Sequence, residues 1–274
     1  MIAVIRLGAV SYLNVRPLVE GLASQPNVRL RFDVPSECAR LLAAGEIDLG
    51  MVPSITYADR PSDAIVPGVC IGSTGPVASV ALFTRRPIAE VRRIALDTSS
   101  RTSACLVKIL CQRRFDVAPI FVPHEPDLGA MLASADAGLL IGDAALFTDA
   151  RAHNAQKLDL GALWSEMTGL PFVWAFWSGP VSGPGAGAVD LLQRAAEAGM
   201  ERLDAIAAEY CADAPECIPA AREYLAENLS FRLDATALAG LHTYYREAAA
   251  AGLIASVPEI RLFAPPDAGS VSHG

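Results

Sequence analysis

The chain has 274 residues, which suits one large domain or two lobes of roughly 100–150 residues each. Hydrophobic residues make up 52% of it and charged residues only 19%, so apolar side chains suffice for a sizeable core. The formal net charge of −8 argues against a nucleic-acid surface or an anionic membrane surface as partner, because both attract positive charge.

Other features of the sequence bear on location and metal chemistry. No apolar run reaches the ~18–20 residues that span a bilayer, and the first residues lack the basic, apolar and cleavage regions of a signal peptide. The six cysteines show no CxxC motif and no metal-binding spacing with histidine. We therefore expect a cytoplasmic protein with reduced thiols and no metal site built from cysteine and histidine. Its expected partner is a small molecule, and its oligomeric state, monomer or dimer, stays open.

Strands and helices alternate from the start of the chain. Short apolar runs predict the strands, while Glu37 in a first turn and Gly45 at a stop mark one of the helices. The predicted elements are a strand at Ile2–Val10, a helix at Asn14–Ala23, a strand at Val28–Val34, a helix capped by Ser36 that runs to Ala44, and a strand at Ile47–Val52. This βαβαβ order predicts a mainly parallel sheet with right-handed connections.

A second βαβαβ run follows two further strands, and helices fill the C-terminal third. The two strands are predicted at Val66–Ile71 and Val77–Phe83. The second run comprises Ile94–Asp97, Thr102–Arg114, Ile120–Val122, Asp127–Ala133 and Ala137–Ile141, and it precedes a strand at Leu170–Trp177 and helices at Ala188–Cys211, Cys217–Asn228 and Asp234–Ala251.

Two half-sheets joined by two long strands predict two α/β lobes. We expect residues 1–84 and 177–274 to form the first lobe, residues 85–176 to form the second, and the ligand cleft to lie between them. In open α/β sheets, ligands bind beyond the carboxyl ends of strands. Polar motifs occur at those ends, namely Ser11-Tyr12-Leu13-Asn14, Pro53-Ser54, Ser79, Ser99–Ser103 and Gly142-Asp143.

The segment Ala95–Ser103 has the pattern of an anion site. It leads from a strand through hydroxyl groups into a helix, whose first backbone N–H groups have no intrahelical partner. We expect Thr102 and Ser103 to hold a carboxylate, while Arg101 either grips the same group or pairs with Asp97 on the surface. A plain serine or threonine N-cap is the competing interpretation.

Short motifs between about residues 6 and 178 carry a family resemblance. They are Ser11-Tyr12-Leu13-Asn14 with Pro17-Leu18, Asp48-Leu49-Gly50 with Pro53-Ser54, Gly75–Val80, Leu96–Ser103, Leu140–Leu146, and Asp159–Trp164 with Thr168–Val173. Together they resemble the chorismate dehydratases of the futalosine route to menaquinone. The resemblance implies a two-lobed α/β fold of the type II periplasmic binding proteins, and conversion of chorismate to 3-[(1-carboxyvinyl)oxy]benzoate and water. That reaction requires no metal or organic cofactor, so we expect none.

The resemblance assigns active-site roles to Asn14 and Ser79. Asn14 can donate to an oxyanion or to the leaving hydroxyl, and its competing interpretation is an N-cap. Ser79 can bond a substrate carboxylate or relay a proton, unless it is a buried serine bonded to backbone. We expect Ser11, Ser54 and Gly142 to be further substrate contacts.

The motifs contain no histidine or glutamate that would act as a base. One hypothesis is that the substrate's own enolpyruvyl carboxylate removes the C3 proton. We interpret Asp143 as a structural helix cap rather than a base, because a carboxylate repels an anionic substrate. Phe172, Trp174 and Trp177 either wall the cleft or pack in the core.

Three other functions compete with the dehydratase. A 1,4-dihydroxy-6-naphthoate synthase of the same pathway is expected to use a base such as histidine, which the motifs lack. A non-catalytic solute-binding protein is expected to carry an export signal. A ligand-sensing regulatory domain is expected to carry a helix-turn-helix or a basic DNA-binding arm, and the sequence shows neither.

Overall fold

The structure is a computed structural model that describes residues 4–183 and 185–264. Its strands are β1 (Ile5–Val10), β2 (Val28–Asp33), β3 (Leu49–Pro53), β4 (Asp63–Ile65), β5 (Ile71–Ser73), β6 (Val80–Thr84), β7 (Arg93–Asp97), β8 (Ile120–His124), β9 (Ala137–Ile141), β10 (Gln156–Asp159) and β11 (Phe172–Pro180). They form two separate sheets.

Helices connect and flank these strands. The α-helices are α1 (Pro35–Ala43), α2 (Arg101–Arg113), α3 (Leu128–Ser134), α4 (Gly142–Phe147), α5 (Leu160–Thr168), α6 (Ala186–Met200), α7 (Leu203–Tyr210), α8 (Ile218–Glu223) and α9 (Ala235–Ala250). Short 3₁₀ helices lie at Leu13–Val19, Leu22–Ser24, Ser54–Asp59, Ile88–Glu90, Ala150–His153 and Pro215–Cys217, and a π-helix lies at Tyr224–Asn228.

The first sheet has the strand order β2-β1-β3-β11-β4, with β5 also paired to β11. Strands β1, β2 and β3 are parallel, as the first βαβαβ run predicts. Strand β11 returns from the far end of the chain and pairs antiparallel with β3, β4 and β5. The first sheet therefore contains a strand that the second half of the chain supplies.

The second sheet has the order β10-β6-β9-β7-β8. Strand β7 is parallel to β8 and β9, whereas β6 is antiparallel to β9 and β10. Alternate residues of β6 serve two cores: Val80 and Leu82 face the main one, and Ala81 and Phe83 face a smaller one with Met131. Because both faces are covered, β6 and β9 are buried throughout and read as continuous apolar runs.

The segment after β1 differs from its prediction. An α-helix is predicted at Asn14–Ala23, but the structure has 3₁₀ turns at Leu13–Val19 and Leu22–Ser24. Pro17 has no N–H for an α-helical hydrogen bond, and Gly21 has a φ of +69°, which ends the first piece. The tight turns keep Asn14 close to the end of β1.

Other elements also differ from the sequence-based expectations. The predicted strand at Val66–Ile71 is wrong, since only Ile71 belongs to a strand there. The predicted helix at Ala188–Cys211 is two helices, separated at Arg202, which has a non-helical φ of −120°. Strand β10 and helix α5, which pack against β6, are not among the predicted elements.

The lobe boundaries at residues 84 and 176 stay a prediction. Since β6 lies in the second sheet and β11 in the first, we propose that the chain changes lobes slightly earlier, at about residues 74–79 and 169–171. Residues 1–3, 184 and 265–274 of the predicted first lobe lie outside the described residues. Within the part of the chain that the structure describes, no helix is long and apolar enough to cross a membrane.

Candidate functional site

A small cavity lies where the two sheets face each other. Its lining residues come from both halves of the fold: Val10, Tyr12, Asn14, Val15, Pro35, Met51, Pro53, Ile71, Val77, Ser79, Val80, Ser100, Thr102, Ser103, Ile141, Gly142, Trp174 and Ala175. The cavity volume is about 60 Å³, room for roughly four to six water molecules at the ~10–15 Å³ that each needs. A mostly apolar lining with a few polar side chains fits a small amphipathic ligand.

Asn14 lies in the 3₁₀ turn directly after β1 and lines this cavity. Its side-chain oxygen is buried and has no hydrogen-bond partner among the described residues. The N-cap of that turn is Tyr12, which makes no side-chain capping bond. Asn14 therefore does not act as the cap that the competing interpretation proposed, and its side-chain oxygen is available to accept a hydrogen bond from a ligand.

Ser79 lines the cavity immediately before β6, at 1% exposure. Its N–H donates to the Val77 carbonyl at 2.7 Å across Ala78, whose φ is +61°. A bond between residues i and i+2 around a positive φ is a strained γ-turn, and such strain clusters at functional sites. The backbone thus holds Ser79 in a position that an unstrained strand would not adopt.

Asp159 holds this γ-turn. Its carboxylate accepts hydrogen bonds from the N–H of Val77 at 3.0 Å and of Ala78 at 2.7 Å. It is also the N-cap of α5, where it accepts from Ala162. At Gly161, a Cβ would lie 2.6 Å from the Gly75 carbonyl, so glycine lets α5 press against the turn. The resemblance motif that begins at Asp159 thus supports the loop that carries Ser79.

Tyr224 is a site residue that no sequence pattern predicts. It is 1% exposed and its hydroxyl donates to Ser79 Oγ at 2.7 Å. Burial raises the pKa of Tyr224 above its usual value, and the neighbouring Ser79 and Asn14 side chains partly offset that rise. The residue comes from the helical C-terminal third, 145 positions from Ser79. No motif or spacing in that third points to it.

Helix α2 brings its first turn to the cavity, as the segment Ala95–Ser103 predicts. Ser100 is the N-cap, accepting from the Ser103 N–H at 3.2 Å while its hydroxyl donates to Ser103 Oγ at 2.8 Å. Thr102 and Ser103 are both 2% exposed and line the cavity. The capping and the anion-site interpretations are therefore compatible, since one helix start serves both.

Arg101 lies outside the cavity. Its guanidinium donates to Asp59 at 2.9 Å, and both side chains are more than half exposed. Of the two orientations left open by the sequence, the structure has the outward one, although the partner is Asp59 rather than Asp97. Asp97 instead accepts from the Ser99 N–H and hydroxyl, and burial raises its pKa.

Two further predicted contacts also lie off the cavity lining. Ser11 is exposed, and its backbone carbonyl accepts from the Tyr210 hydroxyl. Ser54 is fully buried and donates to the Val173 carbonyl at 2.8 Å. It also lies 3.4 Å from the Thr102 hydroxyl, so it ties α2 to the first sheet.

Gly142 and Asp143 begin α4 on the second sheet. Gly142 lines the cavity with a φ of +58°, and a Cβ there would lie 3.0 Å from the Tyr12 ring. The interpretation of Asp143 as a helix cap is wrong, because the N-cap is Ile141. Asp143 instead accepts from the Leu13 N–H at 3.3 Å and from the Tyr210 hydroxyl. Burial raises its pKa, and these bonds partly offset the rise.

The aromatic side chains of strand β11 lie partly at the cavity and partly in the core. Trp174 lines the cavity, and its indole donates to Ser73 at 3.1 Å. Phe172 and Trp177 are fully buried in the main core. Within residues 4–183 and 185–264, no three His, Cys, Asp or Glu side chains converge as metal ligands.

The chain is similar to known proteins along most of its length. A family model described as menaquinone biosynthesis matches residues 5–250. The chain is 33% identical to a chorismate dehydratase of Thermus thermophilus over 73% of this chain and 79% of that protein. It is 29% identical to a chorismate dehydratase of Campylobacter jejuni over 62% of this chain and 66% of that protein.

Solved structures share the fold at low identity. Protein AF1704 of Archaeoglobus fulgidus superposes with a TM-score of 0.69 at 18% identity, covering 91% of this chain and 98% of that one. The aliphatic sulphonate binding protein SsuA of Escherichia coli superposes at 0.64 and 16% identity, covering 97% and 94%. The predicted α/β fold of the periplasmic-binding-protein type is confirmed. The family match and the curated relatives together establish that the chain belongs to the menaquinone-biosynthesis family, alongside the chorismate dehydratases that it resembles.

Proposed function

We propose that this chain is a chorismate dehydratase, a hydro-lyase that converts chorismate to 3-[(1-carboxyvinyl)oxy]benzoate and water. The observation that carries the proposal is a cavity lined by the uncharged hydrogen-bonding groups of Asn14, Ser79 and the start of α2. Both curated relatives named above are chorismate dehydratases. A cytoplasmic location is part of the proposal, and it is supported by six cysteines that all remain unpaired.

The reaction removes the C3 proton and the C4 hydroxyl of chorismate, so that the ring becomes aromatic. No Asp, Glu, His, Lys or Arg is among the described residues that line the cavity. We therefore assign the proton acceptor to the substrate's own enolpyruvyl carboxylate. The C3–H electron pair forms the new ring double bond between C3 and C4 as the C4–O bond breaks, and the hydroxide leaves as water with the proton that the enolpyruvyl carboxylate took from C3.

In this proposal the protein acts mainly by positioning. The backbone N–H groups of the α2 start and the hydroxyls of Thr102 and Ser103 hold one carboxylate, helped by the helix dipole. Asn14 and Ser79 donate to oxygen atoms that gain negative charge, as donors of an oxyanion hole do. Holding the internal base against C3 can contribute ~7–11 kcal/mol.

Direct turnover tests the proposal. Purified protein is mixed with chorismate and a metal chelator, and the loss of chorismate and the appearance of the enolpyruvyl benzoate are followed by chromatography. We expect turnover at the same rate with and without the chelator. Tight binding without turnover would contradict the proposal in favour of a solute-binding protein, and formation of a naphthoate from another substrate would favour the sister enzyme.

The internal base has its own test. A chorismate analogue without the side-chain carboxylate is expected to bind, as measured by calorimetry, but not to lose water. Turnover of this analogue at the normal rate would show that a protein group removes the proton.

A further inference from the structure

We infer that Tyr224 is a positioning residue for the reaction: its hydroxyl holds the Ser79 oxygen and thereby directs the Ser79 proton into the cavity. The inference rests on the proposed function, because it takes Ser79 to be a donor to the substrate. It adds a residue from the C-terminal third, which carries none of the motifs that point to the site.

The hydrogen-bond inventory of Ser79 supports this role. A serine hydroxyl has one proton to donate and lone pairs to accept. Tyr224 donates to Ser79 Oγ at 2.7 Å, so one lone pair is occupied. Ser79 faces the cavity, and its hydroxyl has no other hydrogen-bond partner among the described residues. The serine proton is thus left to point towards a ligand.

The Tyr224 hydroxyl remains the donor in its hydrogen bond to Ser79 because it stays protonated. Burial raises the pKa of the Tyr224 hydroxyl, so it stays protonated at the pH of any ordinary assay. Asn14, the other proposed donor, lies beside the same hydroxyl. One buried phenol therefore adjoins both side chains that we assign to the chemistry.

The backbone around Tyr224 also contacts the Ser79 loop. Helix α8 ends at Glu223, and a π-helix continues over Tyr224–Asn228. At the other end of that π-helix, the Asn228 amide donates to the Pro76 carbonyl at 3.3 Å. Insertions of π-helix are rare and occur often at functional sites. The π-helix thus reaches the loop that carries Ser79 at both of its ends.

The experiment is a double-mutant cycle on chorismate turnover with Tyr224→Phe, Ser79→Ala and the double variant. We expect Tyr224→Phe to lower kcat about tenfold while KM changes less than twofold. In the Ser79→Ala background, Tyr224→Phe should have no further effect, because the group that it positions is gone. An unchanged kcat in Tyr224→Phe, or two losses that multiply in the double variant, would overturn the inference.

Tyr57→Phe is the matched control. Tyr57 is also buried, and its hydroxyl donates to the carbonyls of Asp63 and Glu259, away from the cavity. Both substitutions remove one buried hydroxyl, and Tyr57→Phe also removes the acceptor of the Arg261 N–H, so thermal unfolding should report at least as large a loss of stability for Tyr57→Phe. Tyr57→Phe is expected to keep kcat within twofold of wild type. An equal loss of kcat in both variants would show that the effect of Tyr224→Phe comes from reduced stability of the fold, and it would overturn the inference.

The same variants separate this inference from the proposed function. If the wild-type protein binds chorismate without turning it over, the dehydratase proposal fails and the cycle is measured on the Kd of chorismate by calorimetry. Equal, non-additive weakening by Ser79→Ala and Tyr224→Phe would then support the inference. Weakening by Ser79→Ala alone would overturn it, and so would an absence of any effect of Ser79→Ala.

Discussion

At the scale of single residues, Asn14 presents a buried oxygen atom with no partner among the described residues. An unsatisfied buried polar group costs roughly 1–3 kcal/mol, so such a group is expected where a ligand supplies the missing bond. Asn14 reaches the cavity because a strand, a 3₁₀ turn and Pro17 follow one another within a few positions. Local sequence thus places Asn14 directly after the end of β1.

We predict that Asn14→Ala lowers kcat more than tenfold while the fold survives. The variant removes a donor to the developing charge, and it also removes the unsatisfied oxygen, so the free energy of unfolding should stay within about 1 kcal/mol of wild type. Steady-state kinetics and urea unfolding measure the two effects. Asn27→Ala, at a partly buried asparagine away from the cavity, is the control, and an unchanged kcat in Asn14→Ala would remove Asn14 from the mechanism.

Arg101 illustrates a residue whose chemistry suits the ligand but whose orientation does not. Its ion pair with Asp59 is more than half exposed, and such pairs contribute about 0–1 kcal/mol. We predict that Arg101→Ala changes the KM for chorismate less than twofold, whereas Thr102→Val raises it. Kinetics on both variants make the comparison. A tenfold rise of KM in Arg101→Ala would show that Arg101 turns inward when the substrate binds.

At the scale of elements, the position of Asn14 depends on how closely α6 packs against the 3₁₀ turn at Leu13–Val19. At Gly199, near the end of α6, an added Cβ would lie 1.9 Å from the Pro17 carbonyl. Gly187, in the first turn of the same helix, is exposed and has no atom within 4 Å of an added Cβ. The two glycines thus offer a test of this contact within one helix.

We predict that Gly199→Ala destabilises the protein by about 1–3 kcal/mol or more and lowers kcat, because the overpacked helix displaces the turn that carries Asn14. Gly187→Ala is expected to be neutral, or up to about 1 kcal/mol more stable, since alanine favours the helix. Urea unfolding and turnover of both variants test the prediction. Equal changes of unfolding free energy and kcat in the two variants would contradict the close packing of α6 against the turn.

Some elements follow from local signals and others do not. Ser100 and Asp234 begin α2 and α9 as N-caps, and the sequence predicts both helices within a residue or two. Strand β10 and the π-helix at Tyr224–Asn228 have no such signal. Strand β10 has only four residues, and its pairing with β6 defines it. A π-helix depends on the contacts around it, because it has no characteristic spacing of apolar residues in the sequence.

At the scale of the whole molecule, a few hydrogen bonds join the two halves around the cavity. Thr102 of α2 accepts from the Ile55 N–H at 3.2 Å, and Asp143 of α4 accepts from the Leu13 N–H. The Tyr210 hydroxyl also reaches Asp143. Asp143 is thus a half-buried carboxyl at the junction between the halves, and its ionisation affects the stability of the whole fold.

We predict that wild type loses stability relative to Asp143→Asn as the pH rises. Burial raises the pKa of Asp143 above 3.8, so below about pH 3.8 the carboxyl is protonated in both the folded and the unfolded chain. Between that pH and the raised folded pKa, the carboxyl ionises more readily in the unfolded chain, so the free energy of unfolding of wild type falls as the pH rises. Above the folded pKa, the difference in unfolding free energy between wild type and Asp143→Asn is constant. Urea unfolding of both proteins from pH 4 to 8 measures the difference. A difference that changes in the opposite direction would contradict the raised pKa.

The sequence by itself determined the α/β fold and the approach of Asn14, Ser79, Thr102 and Ser103 to one cavity. Strand ends and helix starts are local features, and the carboxyl ends of parallel strands meet at one edge of a sheet. Only the tertiary structure decided that Arg101 points outward, that the Ser54 hydroxyl donates to a backbone carbonyl, and that the Tyr224 hydroxyl donates to Ser79. The direction of a side chain depends on neighbours distant in sequence, and a periodic pattern specifies only the face on which it lies.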